Sequence, residues 1–277
     1  MTRKVLPPPS RRATIPLVKP TFHLRFGMAT LLMASAARLP ASQLTPSAAR
    51  AFDTYVSGVE ARLALPPASA APPTSLAIDP VNGGTWPVPG GRLHHWRAAA
   101  VVPGATPAAL LDLLRDNRRL ARYYSPEVVS SRTLFDQGDR TAVAMRFVKR
   151  QIVTVVLDAE FETLSGLLDS GTRGFCFSRS THIWQVDRAG TGQEHRRAQG
   201  DDDGLLWKLN SYWTFQQAPE GLRISCEAVS LTRDVPAGLG WLVVPIIRTL
   251  PRDSLEFMLS ATTKALLARR SGDDRDN

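Results

Sequence analysis

Few residues in this sequence have the type and spacing that chemistry demands. The histidines are His23, His94, His95, His182 and His195. His94 and His95 are neighbours in a strand-like run, so they face opposite ways and cannot chelate one ion together. No His-Glu-x-x-His, Cys-x-x-Cys, Gly-x-Ser-x-Gly or phosphate-loop pattern occurs. Asp201-Asp202-Asp203 lacks the spacing of a calcium loop and reads as a solvated turn. Metal, acyl-transfer and nucleotide chemistry therefore have no positive support, and neither a metal nor a cofactor is expected.

What remains is a set of side chains suited to lining an apolar cavity. Arg179 alternates in register with Phe175, Phe177, Thr181 and Ile183. If that face is concave, a guanidinium enters an apolar space and needs a carboxylate or a ligand's anionic head. The alternatives are a bulge that turns it outward, or a structural pair with Glu227. Met145 and Phe147 share a face of another strand, as do Trp207, Ser211, Trp213 and Phe215 of a third. Met258 lies on the apolar side of the last helix. Tryptophan lines pockets well because it offers a broad apolar surface with one donor. Plain core packing accounts for each of these residues taken singly. The expected ligand-binding set is Met145, Phe147, Arg179, Thr181, Ser211, Trp213, Trp241 and Met258.

Those residues require strands and a helix to hold them. Thr45-Pro46 begins a helix in which Ala49, Phe52, Tyr55, Val56, Val59 and Leu63 recur at 3–4 spacing. Residues 66–91 contain seven prolines and four glycines and read as a surface linker. A strand opens at Leu93. Thr106-Pro107 starts a helix, and a shorter helical piece follows through Tyr124. Five strand-like runs then lead from Val128 to Phe215, and another follows Pro219-Glu220-Gly221. Pro251 opens a last helix with Leu255, Met258, Leu259, Thr262 and Leu266 on one side. Strands joined by short turns, with helices grouped rather than alternating, make an α+β fold. A twisted sheet of seven strands has a concave face that a long helix can cover, and the space between is a natural pocket.

This order resembles the START-like superfamily, also called SRPBCC, the helix-grip, polyketide cyclase/dehydrase or Bet v 1-like fold, in an exported bacterial branch. The resemblance covers residues 92–270. It rests on element order, on Leu209-Asn210-Ser211-Tyr212-Trp213, on Glu227 to Pro236, and on the Gly238-Leu239-Gly240-Trp241 loop. It implies a hydrophobic tunnel for lipids, sterols, quinones, polyketides or plant hormones. Some members of such a family are enzymes and many only bind or carry.

The formal net charge is +9, but residues 1–38 hold seven of the cations and no acid, so the remainder is close to +2. That is no footprint for a phosphate backbone, and nucleic acid is not an expected partner. Residues 1–42 run from basic to apolar to small residues, the order of a secretory signal. The expected location is periplasmic or secreted, with the cytoplasm as the alternative if the segment is only a tail. Residues 43–91 then form the N-terminal helix and linker, 92–270 the ligand-binding domain, and 271–277 a disordered tail. Cys176 and Cys226 fall on the fifth and seventh strands with the sixth between. Two strand spacings are about 10 Å, too far for a disulfide, so two buried thiols are expected.

Three functions follow. The first is a non-catalytic binder or carrier of a hydrophobic, lipid-like small molecule held between sheet and helix. The apolar Trp241 loop is then a lid with transient membrane contact. The second is a cyclase or hydratase that needs a polar pair in the cavity, such as Arg179 with Glu227. The third is a cell-envelope interaction module with a filled core. Catalysis is not the favoured reading.

Overall fold

The computed structural model describes residues 43–64, 76–150, 154–198, 202–234 and 240–272, the side chains of 240–249 excepted. The leader and residues 273–277 of the expected tail lie outside the described residues, as does the stretch from Val235 to Leu239, while Ser271 belongs to the last helix.

Alternation of apolar and polar residues along long strands dictates one extended sheet. Nine strands form it: β1 (Ala77–Val88), β2 (Gly91–Val102), β3 (Val128–Gln137), β4 (Arg140–Arg150), β5 (Thr154–Leu168), β6 (Arg173–Asp187), β7 (His195–Arg196), β8 (Lys208–Ala218) and β9 (Gly221–Thr232). Their order is β1-β2-β9-β8-β6-β5-β4-β3, with the short β7 paired to β6, and every pairing is antiparallel. The helices are α1 (Pro46–Leu63), α2 (Pro107–Arg115), α3 (Leu120–Tyr123) and α4 (Gly240–Ser271). The architecture is α+β and matches the expected helix-grip arrangement, with two more strands than expected.

The extra full-length strand is β1, which occupies residues 77–88 of the stretch expected to be a linker. Val88 pairs with Gly91 across a tight turn at Pro89-Gly90, so β1 and β2 form a hairpin. Its prolines are tolerated because β1 is an edge strand, where one side of the backbone needs no ladder partner. A bulge between Pro80 and Thr85 absorbs Asn82-Gly83-Gly84, all at positive φ.

Each face of the sheet carries helices. On the inner face, α2 and α4 bury Leu110, Leu113, Leu255, Leu259 and Leu266 against Ala98, Val102, Trp213, Phe215, Leu222 and Ile224. Gly174 admits this packing, since a Cβ there would lie 2.2 Å from the Phe215 ring. On the outer face, α1 buries Phe52, Val56 and Val59 against Leu93, Tyr212, Val229 and Leu231. Each such side chain contributes about 1.5–3 kcal/mol when fully buried. Thr45 caps α1 by accepting from the Ala48 amide, with Pro46 at the first helical position.

The helix α4 begins at Gly240, eleven residues before Pro251, where the sequence pattern placed its start. The stretch from Gly240 through Ile247 is therefore helical backbone and not a loop. The side chain of Trp241 lies outside the described residues.

Candidate functional site

The inner face supplies the candidate site. One cluster there joins Val143, Met145 and Phe147 of β4, Ala159 and Phe161 of β5, Ile183 of β6 and Leu209 of β8. From the helices it receives Leu120, Tyr124, Phe257, Met258 and Ala261. Met145, Phe147, Ile183, Leu209, Phe257 and Met258 are only half-buried, although helix and sheet flank them. The neighbouring part of the same face is closed: Trp213, Phe215, Leu255 and Leu259 are each under 5% exposed. The side chains between sheet and α4 are thus fully buried at one end and half-buried at the other.

Met145, Phe147 and Met258 are brought together in this cluster. Ser211 shares the inner face, one alternate position from both Leu209 and Trp213. Trp213 lies in the closed part, between Cys176 and Cys226 in one cross-strand row. The strand order places these cysteines two spacings apart, as expected, and both are buried free thiols. Burial pushes the Cys176 thiol up to about 12, and that of Cys226 well above its ordinary value.

Arg179 and Thr181 do not reach the inner face, and this corrects the sequence-based expectation. Cys176 packs inward, so Phe175, Phe177 and Arg179 point outward, with Phe177 and Arg179 against α1. Register slips at Thr181: Phe161 pairs with Ser180 but Glu160 pairs with His182. The bulge turns Ile183 inward while leaving Arg179 and Thr181 exposed. Arg179 donates from Nε to Glu60 of α1 at 2.6 Å. Trp207 also departs from expectation. It precedes β8 and packs in the outer cluster, donating from Nε1 to Asp202. Asp202 and Asp203 serve such internal bonds, and the described residues contain no cluster able to hold a metal.

A second polar arrangement, which sequence reasoning missed, lies under α1. Glu227 and His95 are both almost fully buried. Nε2 of His95 is 2.8 Å from Glu227 Oε2, and its Nδ1 is 2.8 Å from the Tyr55 hydroxyl. Arg62 donates two bonds to the same carboxylate, at 3.1 and 2.5 Å. Burial pushes the Glu227 carboxyl up, but the bonds from His95 and Arg62 outweigh it and hold it down at about 2. Beside it, Tyr212 donates to Glu60 at 2.9 Å. The Arg179–Glu227 pair required for catalysis is not formed, and both residues are engaged on the outer face. The sequence suggests Glu227 as an ion-pair partner, but for Arg179, and Tyr55 reads there only as part of the apolar side of α1. Nothing in it links α1 to β2 and β9.

An open cavity of about 540 Å³ also lies outside the sheet–helix space. Val148, Val156 and Val186 floor it, and Arg150 and Arg188 stand at its edge.

No protein-family model matches the sequence, and no curated protein matches it. Solved structures do. A STAR-related lipid transfer protein from Xanthomonas axonopodis is 13% identical, with a TM-score of 0.42 over 69% of this chain and 98% of that one. The Zhui aromatase/cyclase from Streptomyces sp. R1128 is 13% identical, with a TM-score of 0.43 over 64% of this chain and 95% of that one. Human STARD10 is 12% identical, with a TM-score of 0.42 over 82% of this chain and 84% of that one. The chain's own element order is strand, two helices, an antiparallel sheet and a C-terminal helix across its inner face. That order is the α+β helix-grip arrangement. At these identities and TM-scores the likeness assigns this chain no function. Preceding the 92–270 stretch, β1 forms an edge strand of the sheet and α1 covers its outer face.

Proposed function

We propose that this protein binds a hydrophobic small molecule between the inner face of the sheet and α4, without transforming it. The observation that carries this reading is the half-buried apolar cluster of Met145, Phe147, Ile183, Leu209, Phe257 and Met258. Apolar side chains left partly accessible between two packed layers gain about 25 cal/mol per Å² when a ligand covers them. The cyclase alternative needs an acid–base pair facing this space. Glu227, His95 and Arg179 instead sit on the other side of the sheet, bonded to α1.

Native mass spectrometry of full-length protein purified without detergent, followed by organic extraction, tests the proposal. A bound small molecule that the Met145→Trp variant no longer retains is the expected result. Retention of the same molecule by Met145→Trp and by Met258→Trp would overturn it.

A further inference from the structure

The inner face carries a row of hydroxyls that an apolar ligand alone leaves unexplained. Thr141, Thr163, Ser178 and Ser211 stand opposite one another on β4, β5, β6 and β8. At about 4.8 Å per strand, four strands span about 14 Å. The Thr163 and Ser178 hydroxyls are 2.7 Å apart and share a hydrogen bond. The row continues through Ala228 to Trp96 on β2. Nε1 of Trp96 is buried and has no hydrogen-bond partner among the described residues. The same is true of Oγ of Ser165, the next inward position on β5. Buried donors and acceptors left unpaired are costly, so each calls for a partner such as an ordered water or a ligand's polar atom.

Charge is missing from the same surface. The inward positions of β4 from Thr141 to Phe147, of β5 from Leu157 to Ser165, and of β8 from Leu209 to Phe215 carry hydroxyls or apolar groups. The inward positions of β6 add Cys176, Ser178, Ser180 and Ile183. Charged groups at the ends of this space are already paired, Lys149 with Glu127 and Arg269 with Asp116. A carboxylate or phosphate brought here would lose its water and find no counter-charge.

We infer that the inner site takes a neutral molecule with an apolar body and a carbonyl or hydroxyl oxygen, bonded by the hydroxyls of Ser178 and Ser211. The inference rests on the reading of the inner groove as a ligand site. It assigns Ser178, absent from the expected ligand set, a role in specificity, and it gives an anionic lipid the weaker fit.

Equilibrium dialysis of the full-length protein against three probes of one shape tests it: 2-acetylnaphthalene, 2-naphthoate and 2-ethylnaphthalene at neutral pH. The ketone is expected to bind about tenfold more tightly than either of the others, the worth of one well-made hydrogen bond. The Ser178→Ala/Ser211→Ala variant should lose that preference and keep its affinity for 2-ethylnaphthalene. If the double variant folds poorly, Ser211→Ala should weaken the ketone and Ser211→Thr should restore it. Binding of all three without preference, or stronger binding of 2-naphthoate, overturns the inference and leaves the groove reading intact. Binding of none overturns both.

Discussion

At the scale of single residues, Glu227 and His94 illustrate how a strand sorts polar groups to two environments. His94 points inward, with Nδ1 2.9 Å from the Thr85 hydroxyl and Nε2 3.0 Å from that of Thr232. Burial, with Arg92 nearby, pushes its pKa down to about 4 from an ordinary 6.5. The unfolded chain takes up this proton first, so the stability His94 contributes is complete above pH 6.5 and is lost as pH falls toward 4. Glu227 adds a second loss. Its folded carboxyl titrates near 2 against an ordinary 4.5, so that stability is present above 4.5 and fades as pH falls through that interval. Denaturant unfolding from pH 7 to 3 should therefore show stability falling throughout, and His94→Gln should flatten the part between 6.5 and 4. At pH 7, Glu227→Ala should lower the unfolding free energy by about 3 kcal/mol, because it strands the buried His95 and takes away the partner of Arg62. Arg179→Ala should cost about 1 kcal/mol, since its pair with Glu60 is half exposed, and should leave ligand affinity unchanged.

At the scale of elements, the strands were legible wherever alternation was unbroken. The inward set Val143, Met145 and Phe147 on β4, and Leu157 and Phe161 on β5, follows directly from period two. Alternation failed at Thr181, because a one-residue bulge inverts every later position and leaves no mark in residue type. That is why Arg179 and Ile183 shared a face in the sequence and lie on opposite faces in the fold. The strand β1 was hidden for another reason. Its Pro80, Pro87, Gly83 and Gly84 are breakers in a central strand, and only an edge position with a bulge accommodates them. The start of α4 was misread because Pro251 resembles a first-turn proline, whereas here the helix runs through it. Packing between elements yields its own test. Gly174→Ala should destabilise by about 2 kcal/mol through its clash with the Phe215 ring, measured as a lowered denaturation midpoint.

At the scale of the whole molecule, the sheet divides two kinds of work. Its outer face is occupied by α1, docked through Phe52, Val56 and Val59, by the buried Glu227 network and by the half-exposed Glu60 bonds. Its inner face is closed at one end by α2 and α4 and remains accessible around Met145, Phe147 and Met258. The polar constellations that most resemble catalytic groups are thus structural fasteners for α1, while the groove holds the hydroxyl row. Phe52→Ala should loosen α1 at a cost of about 3 kcal/mol, and hydrogen exchange should show the gain in α1 and β9 before α4. The central claim is that the inner groove receives the ligand. Photolabelling of the full-length protein with 3-trifluoromethyl-3-phenyldiazirine, followed by peptide mass spectrometry, tests this most directly. The account predicts adducts on the peptides that carry Met145, Phe147 and Met258. Adducts confined to the outer cavity at Val148, Val156 and Val186, or to Phe175 and Phe177 beneath α1, would contradict it.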